Sequence, residues 1–178
     1  MPPHCDSLDG PVVTAARRAL EDTDVDLVLP YVHAQAEAEV RDAFGAAARV
    51  RTLGPDARKV AERWFFETVV RLHREGEGAG FTGLKPAGLD VGPVIPVAER
   101  ALESGSAGEL VDVLCGVVRE QAEYRHSRAL ALKENAGKDV AAAREYVEAA
   151  LGLQVWAHHL HRQAMTDPHS RPGGDEHA

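Results

Sequence analysis

The chain is poor in several things that usually announce a fold or a function. It holds only two cysteines, Cys5 and Cys115, too few for a disulfide scaffold. Aromatic residues are 5% of the total, so a core must be assembled mostly from Ala, Val and Leu, a mix that favours closely packed helices. No apolar run reaches the ~18 residues that a membrane-spanning helix needs. Positive charge is not in excess. The net charge is −8, and Lys and Arg are scattered among acids without forming a stripe, which argues against a nucleic-acid partner. The opening "MPPHCDSLDG" has neither a basic segment nor an apolar one, so no signal peptide is read there and the expected compartment is the cytoplasm. Strand-like alternation is absent too.

What is present is helical. At 178 residues the chain is long enough for one domain with a full core. Pro11, behind Asp9 and Gly10, predicts a short helix over 11–21, since proline suits the first helical position. "DVDLVLPYV" is an apolar piece broken by Pro30. Longer helices are expected over 34–52, 56–75, 107–136 and 139–165, with a short one over 93–103. Residues 76–92 hold six glycines and form a long loop. That loop lacks the phosphate-binding pattern G-x-x-x-x-G-K-[ST] and reads as a connection between halves. The tail over 166–178, rich in Pro, Gly, His and charge, is expected to be disordered.

A repeat runs through this arrangement. "GPVVTAARRALE" at 10–21 matches "GPVIPVAERALE" at 92–103 in eight of twelve positions. Both copies lead, through an apolar piece, into a long helix carrying Ala-Glu-x-Arg, "AEVR" at 38–41 and "AEYR" at 122–125. The expectation is an all-α protein: a single domain over 1–165 with pseudo-repeats at 10–75 and 92–165. Its two helical hairpins would pack about a pseudo-twofold axis as a four-helix bundle.

Polar residues on inward faces of such a bundle are site candidates. Phe66, Val69 or Val70, and His73 share one helical face, and Glu67 and Arg71 are spaced to pair. In the last helix Val147, Leu151, Val155 and His158 form a stripe, with His161 further along. A histidine ending an apolar stripe is more often a hydrogen-bonded boundary residue than a ligand. The run "HHLH" near a helix C-terminus also suits the helix dipole. Cys115, in an apolar run, reads as a small core side chain.

The sharper signal is "HCDSLDG". His4, Cys5, Asp6 and Asp9 crowd the N-terminus just ahead of a helix start, where the dipole favours a thiolate. Imidazole, thiolate and carboxylate together suit zinc, nickel, cobalt or copper rather than magnesium or calcium. The plainer reading makes Asp9 a helix cap and His4-Cys5-Asp6 a leader.

This stretch resembles the N-terminal nickel hook of nickel superoxide dismutase, which opens H-C-D-x-P-C-G. His4, Cys5, Asp6 and Gly10 fall on matching positions, whereas Leu8 stands at the proline and Asp9 at the second cysteine. The likeness covers about seven residues. That family is itself a four-helix bundle with its hook at one end. Over its whole length the chain resembles an uncharacterised family of small bacterial helical proteins that open H-C-D-x-x-D-G-P-V. The shared features are the segment from His4 to Val12, "WFFET" at 64–68, "GLKPAG" at 83–88, and Leu160-His161. The nickel-hook resemblance implies donors from the N-terminal amine and a second thiolate. Here Met-Pro-Pro precedes His4, and Pro3 has no amide N–H to deprotonate.

The function expected from these readings is a metal-binding helical bundle, with a redox enzyme of superoxide-dismutase-like type as its sharpest form. A transition metal (nickel, copper or zinc) would be held by His4 and Cys5. Asp6 and Asp9 would serve as ligands or supporting acceptors, and Glu67, His73, His158 and His161 would supply further donors. The partner would be a metal ion or small molecule, with no nucleic acid, no membrane, and an open oligomeric state. The alternatives are a metal-handling protein without catalysis and a metal-free helical interaction module.

Overall fold

The computed structural model describes residues 3–167. The protein is all-α. Among the described residues six α-helices follow one another: α1 (Pro11–Asp22), α2 (Glu37–Val50), α3 (Pro55–Gly76), α4 (Val94–Ser104), α5 (Gly108–Lys133) and α6 (Val140–Met165). Short 3-10 turns stand at Pro3–Asp6, Val25–Leu27, Leu29–Tyr31, Ala34–Ala36 and Arg51–Leu53. The apolar piece around Pro30 therefore winds into two 3-10 turns that bury Val28. Among the described residues, extended pairing is limited to one isolated bridge, Ser7 with Lys85, and no helix is long and apolar enough to cross a membrane. The tail expected to be disordered falls, from residue 168 on, outside the described residues.

The chain divides into two compact units, Met1–Gly92 and Pro93–Ala178. The boundary coincides with the start of the second repeat copy. Each unit holds a short helix followed by a helical pair. The copies end alike: the C-caps Thr23 and Gly105, equivalent in the repeat, both adopt left-handed backbone, at φ 57° and 68°. They begin differently, because Pro11 is the first helical residue of α1 whereas Pro93 is the cap of α4.

In the first unit α1 packs on α3, and α3 on α2. Helix α1 buries Val12, Val13, Ala16, Ala19 and Leu20, the spacing of one apolar stripe. Against it α3 buries Ala61, Phe65, Phe66, Val69, Val70 and Leu72. The Phe44 and Phe65 rings meet edge-on at 5.9 Å. The Arg51 guanidinium bonds the Leu20 carbonyl at the end of α1 and pairs with Glu62 of α3 at 2.9 Å, tying three elements together.

The second unit is thinner. Helix α4 packs on α5, and α5 on α6. Val97 and Ala129 are its buried apolar residues among those described. On α6 the half-buried positions are Ala142, Ala143, Tyr146, Ala149, Ala150, Leu153, Trp156 and Leu160; all but Ala143 and Ala150 alternate four and three apart as in a coiled-coil seam. Arg125 of α5 lies over the Trp156 ring at 4.6 Å. The stripe expected to face inward, Val147, Leu151 and Val155, is instead about half exposed. Its middle residue, Leu151, lies two positions, about 160° of helix rotation, from the seam residues Ala149 and Leu153, and the seam wins because it carries the large aromatic side chains Tyr146 and Trp156. Cys115 is likewise exposed rather than core.

Candidate metal centre

The segment around His4 and Cys5 is fastened, not frayed. It closes on itself first: Ser7 Oγ donates to the His4 carbonyl at 2.9 Å and Gly10 N–H to the Ser7 carbonyl at 3.0 Å. A β-carbon on Gly10 would lie 1.8 Å from the His4 carbonyl oxygen, so only glycine fits this turn. The "GLKPAG" loop then grips the segment. Lys85 N–H donates to the Asp6 carbonyl at 2.8 Å, and Leu8 N–H donates to the Lys85 carbonyl at 3.1 Å. Asp9 does not cap α1 with its side chain; Gly10 is the cap, and the Asp9 carboxylate accepts the Gly88 N–H at 2.7 Å. That bond, with a second from Ser7, holds the Asp9 carboxyl below the ordinary aspartate value of 3.8.

The strongest fastening is electrostatic. Arg74, in the last turns of α3, meets Asp6 with two hydrogen bonds, Nε to Oδ1 at 2.6 Å and Nη2 to Oδ2 at 3.0 Å. Both side chains are below a tenth exposed, 7% for Arg74 and 4% for Asp6. The hydrogen bond to Asp6 pushes the Arg74 guanidinium above its ordinary value. Glu77 adds a second carboxylate, 3.2 Å from Arg74 Nη1. With both of its oxygens committed to one guanidinium, Asp6 has its best donor directions occupied and acts as an anchor.

His73 sits beside this network. Its Nδ1 donates to the Tyr31 carbonyl at 2.8 Å. Because a carbonyl can only accept, the neutral ring carries its proton on Nδ1 and turns a bare Nε2 toward Glu77 Oε1, 3.4 Å away. That nitrogen is buried and has no hydrogen-bond partner. The contact is therefore an ion pair only when His73 is doubly protonated. One turn of chain away, His33 Nε2 donates to the Gly76 carbonyl at 2.9 Å, a role the sequence did not suggest. His73 thus does lie on the apolar face read for it, with its Nδ1 held at the boundary by the Tyr31 carbonyl.

The other candidates lie elsewhere. Glu67 pairs with Arg63 at 3.0 Å, not with Arg71, which goes to Glu75 at 2.8 Å and to Glu39 of α2. Lateral reach decides this, since Glu39 and Glu75 together bracket Arg71. His158 and His161 are exposed on α6, and His158 contacts the His159 ring. Among the described residues no three His, Cys, Asp or Glu side chains gather around a metal-sized centre. The pair that does come together is His4 and Cys5. Cys5 Sγ lies 3.9 Å from His4 Nδ1 and 3.8 Å from Nε2, and Cys5 is 8% exposed, at the edge of the apolar core.

The model for a family described as "Family of unknown function (DUF6448)" matches residues 9–156. The chain belongs to this family. The match takes in Asp9, Arg74 and the "GLKPAG" loop, and hence the partners that hold the N-terminal segment. No curated protein and no solved structure matches the chain.

Sequence reasoning singled out "HCDSLDG", but it took "GLKPAG" only as a family motif in a loop connecting two halves, whereas that loop grips the N-terminal segment, and it missed Arg74. It read "RLHRE" for its histidine and passed over the arginine beside it. An arginine at the end of an apolar run, three residues after Arg71, was the available signal.

Proposed function

We propose that this is a metal-binding protein in which the N-terminal segment offers the His4 imidazole and the Cys5 thiolate as donors. Asp6 and Asp9 act as fasteners that hold those donors in place. The observation that carries this reading is the fastening itself: contacts to Arg74, Lys85 and Gly88 order a short segment and leave two ligand-type side chains adjacent. Cys5 Sγ is about equally far from both ring nitrogens, 3.9 and 3.8 Å, so the His4 ring must turn before one nitrogen and the sulfur can share an ion. A sulfur and a nitrogen bound to one tetrahedral ion, at ~2.3 Å and ~2.0–2.1 Å, lie about 3.5 Å apart. Thiolate with imidazole favours zinc, copper or nickel over hard cations. Two protein donors leave positions for further ligands. A redox role of superoxide-dismutase-like type is the sharper form of the proposal, and a bound metal would supply its electron transfer.

Metal content of natively purified full-length protein tests the reading. Stoichiometric zinc, copper or nickel is expected, with a sharp fall in both Cys5→Ser and Cys5→Ala and no change in Cys115→Ser. Because Cys5 borders the core, Cys5→Ser should also lower stability, by about 1 kcal/mol, while Cys5→Ala keeps an apolar side chain there. Full occupancy in both Cys5 variants ends the thiolate reading. A second reading, a metal-free helical interaction protein, is favoured by the exposed apolar residues of α5 and α6.

A further inference from the structure

At the C-terminal end of α3 two hydrogen-bond acceptors face each other with no hydrogen between them. His73 Nδ1 donates its proton to the Tyr31 carbonyl at 2.8 Å, so the neutral ring has only a lone pair at Nε2. That nitrogen is buried without a hydrogen-bond partner, and Glu77 Oε1 stands 3.4 Å from it. The two side chains are 14% and 16% exposed, too little for bulk water to screen the facing lone pairs. Buried acceptors left unmatched are costly, and a cation between them removes the cost.

The surroundings are those of a ligand pair. A histidine that binds a metal through one ring nitrogen donates its other N–H to a carbonyl, carboxylate or water, which fixes the tautomer, and a ligating carboxylate is itself hydrogen-bonded. Both conditions are met. Tyr31 takes the Nδ1 proton, and Glu77 Oε2 accepts from Arg74 Nη1 at 3.2 Å while Oε1 stays toward His73. The Arg74 charge is already met by both Asp6 oxygens, which leaves the Glu77 charge to balance a cation. Residues 73 and 77 are four apart, so one side of the helix end presents both. An ion bonded to each at ~2.0–2.1 Å across the 3.4 Å gap would subtend about 110°, close to the tetrahedral angle.

We propose that His73 Nε2 and Glu77 Oε1 form a two-donor site for a borderline divalent cation of the zinc type, with water completing its coordination. Imidazole with carboxylate suits such an ion. Both donors belong to the first unit. The competing occupant is a second proton on His73, which makes the contact a plain ion pair. This inference does not rest on the reading of His4 and Cys5 and stands or falls separately.

Zinc titration of the full-length His4→Ala/Cys5→Ala variant, followed by calorimetry, is the test. Without a thiolate the site is read by added ion rather than by the metal that survives purification. Zinc is expected to bind still, and in excess to raise the melting temperature. Adding Glu77→Gln, which keeps an acceptor for Arg74, should weaken one equivalent of that binding by at least ~10-fold, and so should His73→Gln. The His73 ring resonances should also move on zinc addition, a readout that needs no substitution at the site and decides the matter even if both site variants unfold. No zinc binding to the His4→Ala/Cys5→Ala variant overturns the inference and assigns the gap to a proton. So does binding unchanged by both site substitutions, or His73 resonances indifferent to zinc. Failure of the His4–Cys5 reading shows differently, as zinc binding unaltered by His4→Ala/Cys5→Ala, and leaves this inference standing.

Discussion

Asp6 carries the argument at the scale of single residues. A carboxylate beside His and Cys near an N-terminus reads as a ligand, yet its two oxygens belong to Arg74 in a site nearly closed to water. Removing one partner of such a pair strands a buried charge. Arg74→Met or Asp6→Leu alone should therefore destabilise the first unit by about 3–5 kcal/mol. The double variant should cost less than the two singles combined, because the only carboxylate it leaves without Arg74 is the more exposed Glu77. Urea unfolding followed by helical signal measures all three, and a double variant as damaging as the two singles combined would show that the pair does not act as a unit.

Asp9 has a different signature. Its folded carboxyl is held below 3.8 by the Gly88 N–H and by Ser7. A depressed carboxyl adds stability that is present above the unfolded value and lost as pH falls through the folded one. The wild-type chain should thus lose this contribution as pH drops below about 4. Asp9→Asn keeps an acceptor for Gly88 but cannot titrate, so its stability should depend less steeply on pH in that window. Thermal melting at pH values from 3 to 6, a range set by the aspartate reference value, compares the two, and identical slopes would exclude the effect.

At the scale of elements, the short turn before α1 matters more than its length suggests. Gly10 has ordinary φ of −73°, so its constraint is contact, not conformation. Gly10→Ala must push the His4 carbonyl aside and with it the donor segment, and we expect a loss of about 1–3 kcal/mol. Gly45→Ala inside α2, where the nearest atom is a flexible Arg49 tip at 3.5 Å, should gain about 0.5–1 kcal/mol from helix propensity. Equal effects at the two glycines, read by denaturant melts, would remove the turn from the account. The helices themselves were readable from the sequence, within a few residues at either end, because capping and periodicity are local properties. The orientation of α6 was not. Its exposed stripe and its true seam are both apolar at helical spacing, and only the position of α5 selects between them.

At the scale of the whole molecule, the continuous apolar core runs from Cys5 to Leu72 and lies wholly in the first unit. We expect residues 1–92 expressed alone to keep a cooperative, helical, two-state transition, whereas residues 93–167 alone should melt broadly at low concentration. Circular dichroism melts of the two fragments separate these outcomes, and a non-cooperative 1–92 fragment would show that its core is insufficient.

What the sequence by itself determined is the all-α class and, within a few residues, the extents of its helices. Both depend on residue spacing along the chain. Tertiary structure alone decided which partner each charged group takes. Asp6 meets an arginine 68 positions away and Asp9 a backbone amide 79 positions away. Nothing local distinguishes a carboxylate that will hold a metal from one that will hold a guanidinium, because both need an anion with free lone pairs, and the difference is which counter-charge the folded chain brings within 3 Å.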